Sequence, residues 1–275
     1  MLLEDLLEEY TQLRRSQGKS EHTIDRINLT IRKIAREMDI NNLEQFTTDV
    51  ITEWGERQKS LGVTNSGLFA NYNSVKSFLR FLEDSDIEHD VNRKLVRCKP
   101  NYRRKKTLRP WEITKIIKNA PHDIGVLIRA YYTCGLRESE ALTIKAADIL
   151  PNNTIIISGK WLTDEPVYLT PELVAELRYL GKGGGWCFKD RKDSDRPMDR
   201  KIAYYYVKKA MIQAGFPNNS VHDLRHSFCT ELLRQDVPTL KAMVLMRHKK
   251  IETTQRYTHL LEEDAQAAHM LLPRV

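Results

Sequence analysis

Apolar side chains in the first third of the chain recur every three or four residues, the spacing that puts them on one face of an α-helix. Four such stripes precede residue 95, and no segment there alternates apolar and polar residues as a strand would. The sequence therefore predicts an all-helical domain over residues 1–95. Its four helices run from Leu2 to Gly18, from Ser20 to Met38, from Thr48 to Gly62 and through Leu68 to Leu82.

The chain from residue 110 onward combines helical stripes with one pair of strand-like segments. Thr154–Ser158 is rich in β-branched residues, which favours a strand, and Pro166–Thr170 is its predicted hairpin partner. We therefore expect a mainly α protein whose second domain, residues 110–275, is mostly helical with a small antiparallel β-sheet. One predicted helix begins at Pro110. The others cover residues 123–134, 171–180, 199–214, 222–234, 238–246 and 254–271.

A basic segment separates the two predicted domains. Residues 93–109 hold nine of the 44 lysines and arginines and no acid, so the remaining 35 bases face 37 acids elsewhere. The positive excess of the protein, +7 in all, thus sits in one segment, which suits a polyanion such as DNA. We expect a linker over residues 96–109 that contacts DNA. The alternative is a basic linker that is solvated and binds nothing. Its candidate DNA-binding residues are Arg103, Arg104, Lys105 and Lys106.

Composition predicts a soluble, cytoplasmic protein. Apolar residues make up 41% of the chain and charged residues 29%, and no run approaches the roughly 20 apolar residues of a membrane-spanning helix. The acidic start, residues 1–5, is unlike a secretory signal. Cys98, Cys134, Cys187 and Cys229 form no CxxC pair, which argues against a zinc ribbon and against a disulfide framework.

Two arginines far apart in sequence have neighbours that suit a phosphate site. Arg137 follows the helix-breaking Gly135, and Glu140, three residues on, can pair with it and fix its direction. His222 and Arg225 lie three apart on one helical face, where the guanidinium can bond two phosphate oxygens and the histidine can donate one more hydrogen bond. The alternative interpretations are an ordinary surface ion pair and a capped surface helix.

The histidines at positions 222 and 226 also have the H-x-x-x-H spacing of a zinc hydrolase. Arg225 lies on the same helical face, where its charge would repel a bound cation, and Asp223 replaces the glutamate usual in that motif. We therefore predict no metal at this site.

Three further residues complete the set of candidates. Lys160 follows the isoleucine-rich strand at the tip of the predicted hairpin, where an ammonium group can protonate a leaving oxygen. His248 and Tyr257 lie nine residues apart, and a threonine at 253 or 254 can cap a new helix that folds Tyr257 back towards His248. The alternatives are a solvated lysine and a tyrosine packed on the core.

The order and spacing of these residues resemble the tyrosine recombinase family. Residues 133–142, TCGLRESEAL, resemble its first arginine box, residues 222–233, HDLRHSFCTELL, its second, and residues 247–259, RHKKIETTQRYTH, its tyrosine box. The segments SEHTIDRI (20–27) and NYNSVKSFLRFL (71–82) look like parts of its core-binding domain. In length the chain is similar to minimal Xer-like recombinases and small mobile-element integrases.

This resemblance implies a site-specific recombinase that cuts and rejoins double-stranded DNA through a covalent 3′-phosphotyrosine bond, without metal or cofactor. It implies a homotetramer on paired DNA sites, acting in Xer-like dimer resolution or in integration and excision of mobile elements. The helix near the C-terminus would dock on a neighbouring protomer, or else pack within its own chain. Six side chains would act at the phosphate: the nucleophile Tyr257, the clamps Arg137 and Arg225, the general acid Lys160, and the assisting His222 and His248, of which either can be the base.

Two features depart from the family pattern. Arg247 stands where the family usually has glycine, and the hairpin lacks the usual second base and carries Asp164 and Glu165 instead.

Two other functions share parts of the same evidence. A non-catalytic DNA-binding regulator would keep the basic linker, and a relaxing topoisomerase would use the same tyrosine chemistry without exchanging partners.

Overall fold

The four apolar stripes of the N-terminal region form four helices with one shared core. A computed structural model describes residues 1–92, 107–158 and 164–247. The helix that begins after Ser20 and the one that begins at Thr48 start where the sequence predicts. The four helices are α1 (Leu3–Ser16), α2 (Glu21–Glu37), α3 (Thr48–Ser60) and α4 (Asn65–Asp84).

The chain divides into two units, Met1–Arg103 and Arg104–Val275. Most of the predicted linker, with Arg103, Arg104, Lys105 and Lys106, lies outside the described residues, as does the predicted helix over residues 254–271.

An aromatic cluster forms the centre of the first unit. The ring of Tyr10 meets that of Phe81 nearly edge-on, with centroids 5.4 Å apart, and Phe46 meets Phe78 in the same way at 6.1 Å. Such edge-to-face pairs add stability beyond the apolar area that they bury. The indole of Trp54 is fully buried and donates its N–H to the carboxylate of Glu37 at 2.7 Å.

In its described residues the second unit is mostly helical with one two-stranded antiparallel sheet, which confirms the predicted fold class. Helix α6 lies at its centre with most of its side chains buried and packs against α5, α8, α9 and α10. The elements of this unit are α5 (Pro110–Lys118), α6 (His122–Cys134), α7 (Glu138–Leu142), β1 (Thr154–Ser158), β2 (Asp164–Tyr168), α8 (Pro171–Leu180), α9 (Arg200–Gln213), α10 (Val221–Arg234) and α11 (Thr239–Leu245).

Strand β2 begins two residues earlier than the sequence predicts. The predicted strand was residues 166–170, but Asp164 pairs with Ser158, and Glu165 with Ile157. Thr170 instead caps α8, because its side-chain oxygen accepts a hydrogen bond from the backbone of Leu173. The two acids therefore belong to the strand and not to the hairpin tip.

The residues just before α5 are attached to α10. Leu108 is buried, and its backbone N–H donates to the hydroxyl of Ser227 at 2.7 Å. This bond joins the start of the second unit to the helix that carries Arg225. Cys134, Cys187 and Cys229 are buried, and none of them forms a disulfide with another described residue.

Among the described residues, no helix has both the length and the apolar character that spanning a bilayer requires.

Candidate active site

The turn between α6 and α7 depends on Gly135. This residue ends α6 in the left-handed region, at φ +56°. A Cβ atom at this position would lie 2.4 Å from Cδ1 of Phe228, closer than any normal contact. Glycine therefore meets both a backbone and a packing requirement here. The sharp turn leaves the Gly135 carbonyl oxygen as an acceptor for side chains from other elements.

Arg137 and Glu140 form a reciprocal pair at the start of α7. The backbone N–H of Arg137 donates to Oε2 of Glu140 at 2.7 Å, and the Arg137 guanidinium donates to Oε1. Nη2 of Arg137 also reaches the backbone oxygen of Arg247 at 3.3 Å. The Arg137 side chain is 45% exposed, so part of its guanidinium faces solvent.

Arg225 enters the same place from α10, and its residue is 7% exposed. Its guanidinium donates to two backbone carbonyls, those of Gly135 and Met246. Its Nη1 lies 4.0 Å from Oε2 of Glu140. Arg137 and Arg225, far apart in sequence, therefore meet at the carboxylate of Glu140.

His222 lies one turn before Arg225, in the first turn of α10, and is exposed. The start of this helix is fixed by Asp223, whose carboxylate accepts a hydrogen bond from the backbone of Ser220 at 2.8 Å. No group of three His, Cys, Asp or Glu side chains in the described parts of the chain is placed to hold a metal ion.

Arg247 adds a third guanidinium, which is not among the six side chains predicted to act at the phosphate. Its side chain is 3% exposed, and its Nη2 donates to Oε2 of Glu140 at 2.8 Å and to the carbonyl of Gly135 at 3.1 Å. The signal in the sequence was the arginine at a position where the family usually has glycine. Its contacts depend on carbonyls from distant elements, which no local pattern reveals.

Glu140 is the carboxylate around which these arginines gather. Burial alone would raise its pKa, but the charge of Arg247 and the hydrogen bonds from Arg137 outweigh this effect and hold the pKa of Glu140 below its ordinary value of 4.5. The carboxylate is therefore ionised at neutral pH. Three guanidiniums against the carboxylates of Glu140 and, 4.0 Å from Arg247, Glu165 leave the cluster with a net positive charge, which is the arrangement that stabilises a bound phosphate.

A family profile accounts for this cluster and for the segment around it. This profile, described as "Phage integrase family", matches residues 106–264, more than half of the chain. The chain belongs to the phage integrase family. It is thus a tyrosine recombinase, a DNA breaking-and-rejoining enzyme, which confirms the family predicted from the sequence.

Relatives and solved structures of this integrase family resemble the chain over most of its length. It is 29% identical to the tyrosine recombinase XerA of Pyrococcus horikoshii, over 92% of this chain and 88% of that protein. In fold it is similar to XerH recombinase bound to a palindromic difH substrate, with a TM-score of 0.75 at 18% identity, covering 96% of this chain and 83% of that one. It is likewise similar to a lambda integrase in a tetramer bound to a Holliday junction, with a TM-score of 0.74 at 16% identity, covering 94% and 77%.

The structure brings together part of the set that the integrase-family resemblance singled out. Arg137, Glu140 and Arg225 share contacts, and His222 lies on the same helix as Arg225. Lys160, His248 and Tyr257 lie outside the described residues.

Proposed function

We propose that this recombinase cleaves and rejoins double-stranded DNA at specific sites through a covalent 3′-phosphotyrosine bond made by Tyr257. The observation that carries the proposal is the meeting of Arg137 and Arg225 at the Glu140 carboxylate, which Arg137 hydrogen-bonds and which lies 4.0 Å from Nη1 of Arg225. Two guanidiniums brought to one place from separate elements, in a cluster of net positive charge, form a receptor for a single phosphate.

The chemistry of strand transfer explains why such a receptor is needed. Attack on a phosphodiester builds negative charge on the non-bridging oxygens as five-coordinate phosphorus forms. Arg137 and Arg225 are the clamps for that charge, and preorganised donors of this kind each lower the barrier by roughly 3–4 kcal/mol. The buried Arg225 is held by two carbonyls, while the half-exposed Arg137 is free to turn part of its guanidinium towards DNA.

The remaining roles follow from the family and from the chemistry of each side chain. A phenol has an ordinary pKa near 10, so Tyr257 needs a base to lose its proton at neutral pH. His222 and His248 assist at the nucleophile and at the phosphate, and either of them can be the base. Lys160 is the general acid that protonates the departing 5′ oxygen. The phosphotyrosine ester retains the energy of the broken bond, so rejoining requires neither a nucleotide nor a metal ion.

DNA and further copies of the same chain are the partners in this proposal. The helical region 1–95 acts as a core-binding domain, and the basic linker 96–109 contacts phosphates through Arg103, Arg104, Lys105 and Lys106. The working assembly is a tetramer on two DNA sites, as in the lambda integrase bound to a Holliday junction. The helix near the C-terminus is exchanged between protomers, and the enzyme acts in the cytoplasm.

A nicked suicide substrate tests the nucleophile. The wild-type chain should form a DNA adduct that survives boiling in detergent, because release of the fragment beyond the nick prevents rejoining. Tyr257→Phe should keep DNA binding and form no adduct. Tyr205→Phe, which changes an exposed tyrosine on α9, is the matched control and should cleave normally.

Each other outcome of this assay has a distinct meaning. Adduct formation by Tyr257→Phe would move the nucleophile elsewhere, and no adduct with the wild type would favour a non-catalytic regulator. Adducts without recombinant junctions on paired sites would favour a relaxing topoisomerase. Dimer resolution and mobile-element integration stay open as the biological setting.

A further inference from the structure

Residue 247 is an arginine in a backbone conformation that suits glycine. Its φ is +52°, in the left-handed region where a side chain is disfavoured. Such a conformation persists only where the surrounding structure compensates for it. Contacts of the Arg247 side chain can compensate for the cost of this backbone conformation.

The Arg247 side chain contacts the groups that hold the proposed phosphate clamps: the Glu140 carboxylate bonded by Arg137 and the Gly135 carbonyl bonded by Arg225. Besides its bonds to Glu140 and Gly135, its Nη1 lies 3.5 Å from the carbonyl of Cys134 and 3.4 Å from that of Leu245. It therefore connects the end of α6, the first turn of α7 and the end of α11. Arg225 bonds the carbonyl of Met246 next to it.

Strand β2 supplies an acid on the remaining side of this guanidinium. Nε of Arg247 is buried and has no hydrogen-bond partner among the described residues. The nearest carboxylate on that side is Glu165, with Oε2 4.0 Å away and a side chain 28% exposed. The two departures from the family pattern, an arginine at 247 and an acid at 165, thus face each other.

We propose that Arg247 is a positioning residue: its guanidinium fixes the Glu140 carboxylate and the Gly135 carbonyl, and these hold Arg137 and Arg225 for the phosphate. Glu165 is its counter-ion. In this role Arg247 acts through Glu140 and Gly135 and not on the DNA itself. This proposal rests on the proposed function of the same site.

A dependence on pH separates this role from a general effect on folding. Among the described residues, the charged groups that face Glu140 are Arg137 on α7, Arg225 on α10 and Arg247 after α11. Glu165 on β2 and the thiol of Cys134 on α6 lie close to Arg247. If the positive charge at 247 is removed, Glu140 takes up its proton at higher pH. A protonated Glu140 holds Arg137 less firmly, so cleavage should fail at a higher pH than in the wild type.

The experiment measures single-turnover adduct formation on nicked DNA across the acid range. Arg247→Gly keeps the backbone carbonyl that Arg137 contacts and relieves the left-handed strain. Asp236→Gly is the matched control, because Asp236 is exposed and has a φ of +55° in the same unit. We expect Arg247→Gly to bind DNA normally and to cleave about ten- to a hundredfold more slowly. The acid limb of its pH–rate profile, where the cleavage rate falls as the pH is lowered, should move to higher pH. The profile of Asp236→Gly should match that of the wild type.

Two further variants keep the proposal testable if a thermal melt shows that Arg247→Gly is not folded. Arg247→Gln removes the charge and should shift the acid limb upward. Arg247→Lys keeps the charge and should keep the acid limb, at a reduced rate because an ammonium cannot make the same set of bonds. Identical pH profiles for these two variants, or an Arg247→Gly variant that cleaves like Asp236→Gly, would overturn the proposal.

The controls separate this failure from failure of the proposed function. If the wild type forms no adduct, the recombinase mechanism itself is wrong. If the wild type forms adducts and the Arg247 variants do so equally well at every pH, the mechanism stands and Arg247 has no part in it.

Discussion

Gly135 accepts, through its backbone carbonyl, a hydrogen bond from the buried guanidinium of Arg225. A backbone acceptor in the left-handed turn at the end of α6 thus orients a side chain from α10. Because one oxygen serves two arginines, Arg225 and Arg247, small changes in the turn affect both of them.

Gly135→Ala should destabilise the protein and slow cleavage. The new Cβ would lie 2.4 Å from the Phe228 ring, and the residue would stay in the left-handed region. Together these effects should lower the free energy of unfolding by about 3 kcal/mol. Gly183→Ala is the control, because Gly183 has a φ of +82° and nothing within 4 Å of its Cβ position. It should lose about 1–2 kcal/mol. Urea denaturation of both variants measures the difference, and equal losses would contradict the packing argument.

Arg225→Ala should abolish most cleavage while the protein remains folded. Loss of one preorganised donor to the transition state should slow adduct formation about a hundredfold or more. The carbonyl of Met246 also loses its donor, which should lower stability by about 1–3 kcal/mol. Arg178→Ala, at an exposed position on α8, controls for loss of a positive charge. Cleavage by Arg225→Ala at the rate of this control would remove Arg225 from the site.

Glu140→Gln should destabilise the protein at neutral pH and less so in acid. The pKa of Glu140 is lower in the folded protein than its ordinary value of 4.5, so its ionised form stabilises the fold above that value. That contribution is lost as the pH falls through the lower, folded-state pKa. The difference in unfolding free energy between wild type and variant should therefore shrink below about pH 4.5.

Denaturation at neutral pH and in acid measures this difference. Glu9→Gln, at an exposed position on α1, should change stability by no more than about 0.5 kcal/mol at either pH. A difference for Glu140→Gln that grows on acidification would show that the sign of the pKa shift is wrong.

Glu37→Ala should destabilise the first unit. The carboxylate of Glu37 accepts hydrogen bonds from Trp54 and from Gln58, each at 2.7 Å, and both donors are almost fully buried. Unsatisfied buried donors cost about 1–3 kcal/mol each, so a loss of about 2 kcal/mol or more is expected in urea denaturation. Glu9→Ala serves as the exposed control, and a loss no larger than that control would mean that water replaces the carboxylate.

The helices were predictable because their signals are local. Ser20 and Pro110 start helices and Gly135 ends one, each through its own backbone or side-chain preference. Strand β2 was displaced by two residues because strand pairing is not local: Asp164 and Glu165 look like loop residues until Ser158 and Ile157 lie opposite them. The meeting of Arg137 and Arg225 was expected from the family.

The position of Arg247 within the cluster could not be predicted in the same way. It depends on a left-handed backbone and on carbonyls at the ends of two separate helices, α6 and α11. Sequence spacing carries no information about either of these.

The bond between Leu108 and Ser227 has a practical consequence for dividing the chain. A fragment beginning at Pro110, where α5 begins, would leave an empty place for a leucine beside α10 and would remove the N–H that donates to the Ser227 hydroxyl, two residues from Arg225. A truncated version of the second unit therefore needs to begin upstream of Leu108 if Arg225 is to keep the surroundings that it has in the whole protein.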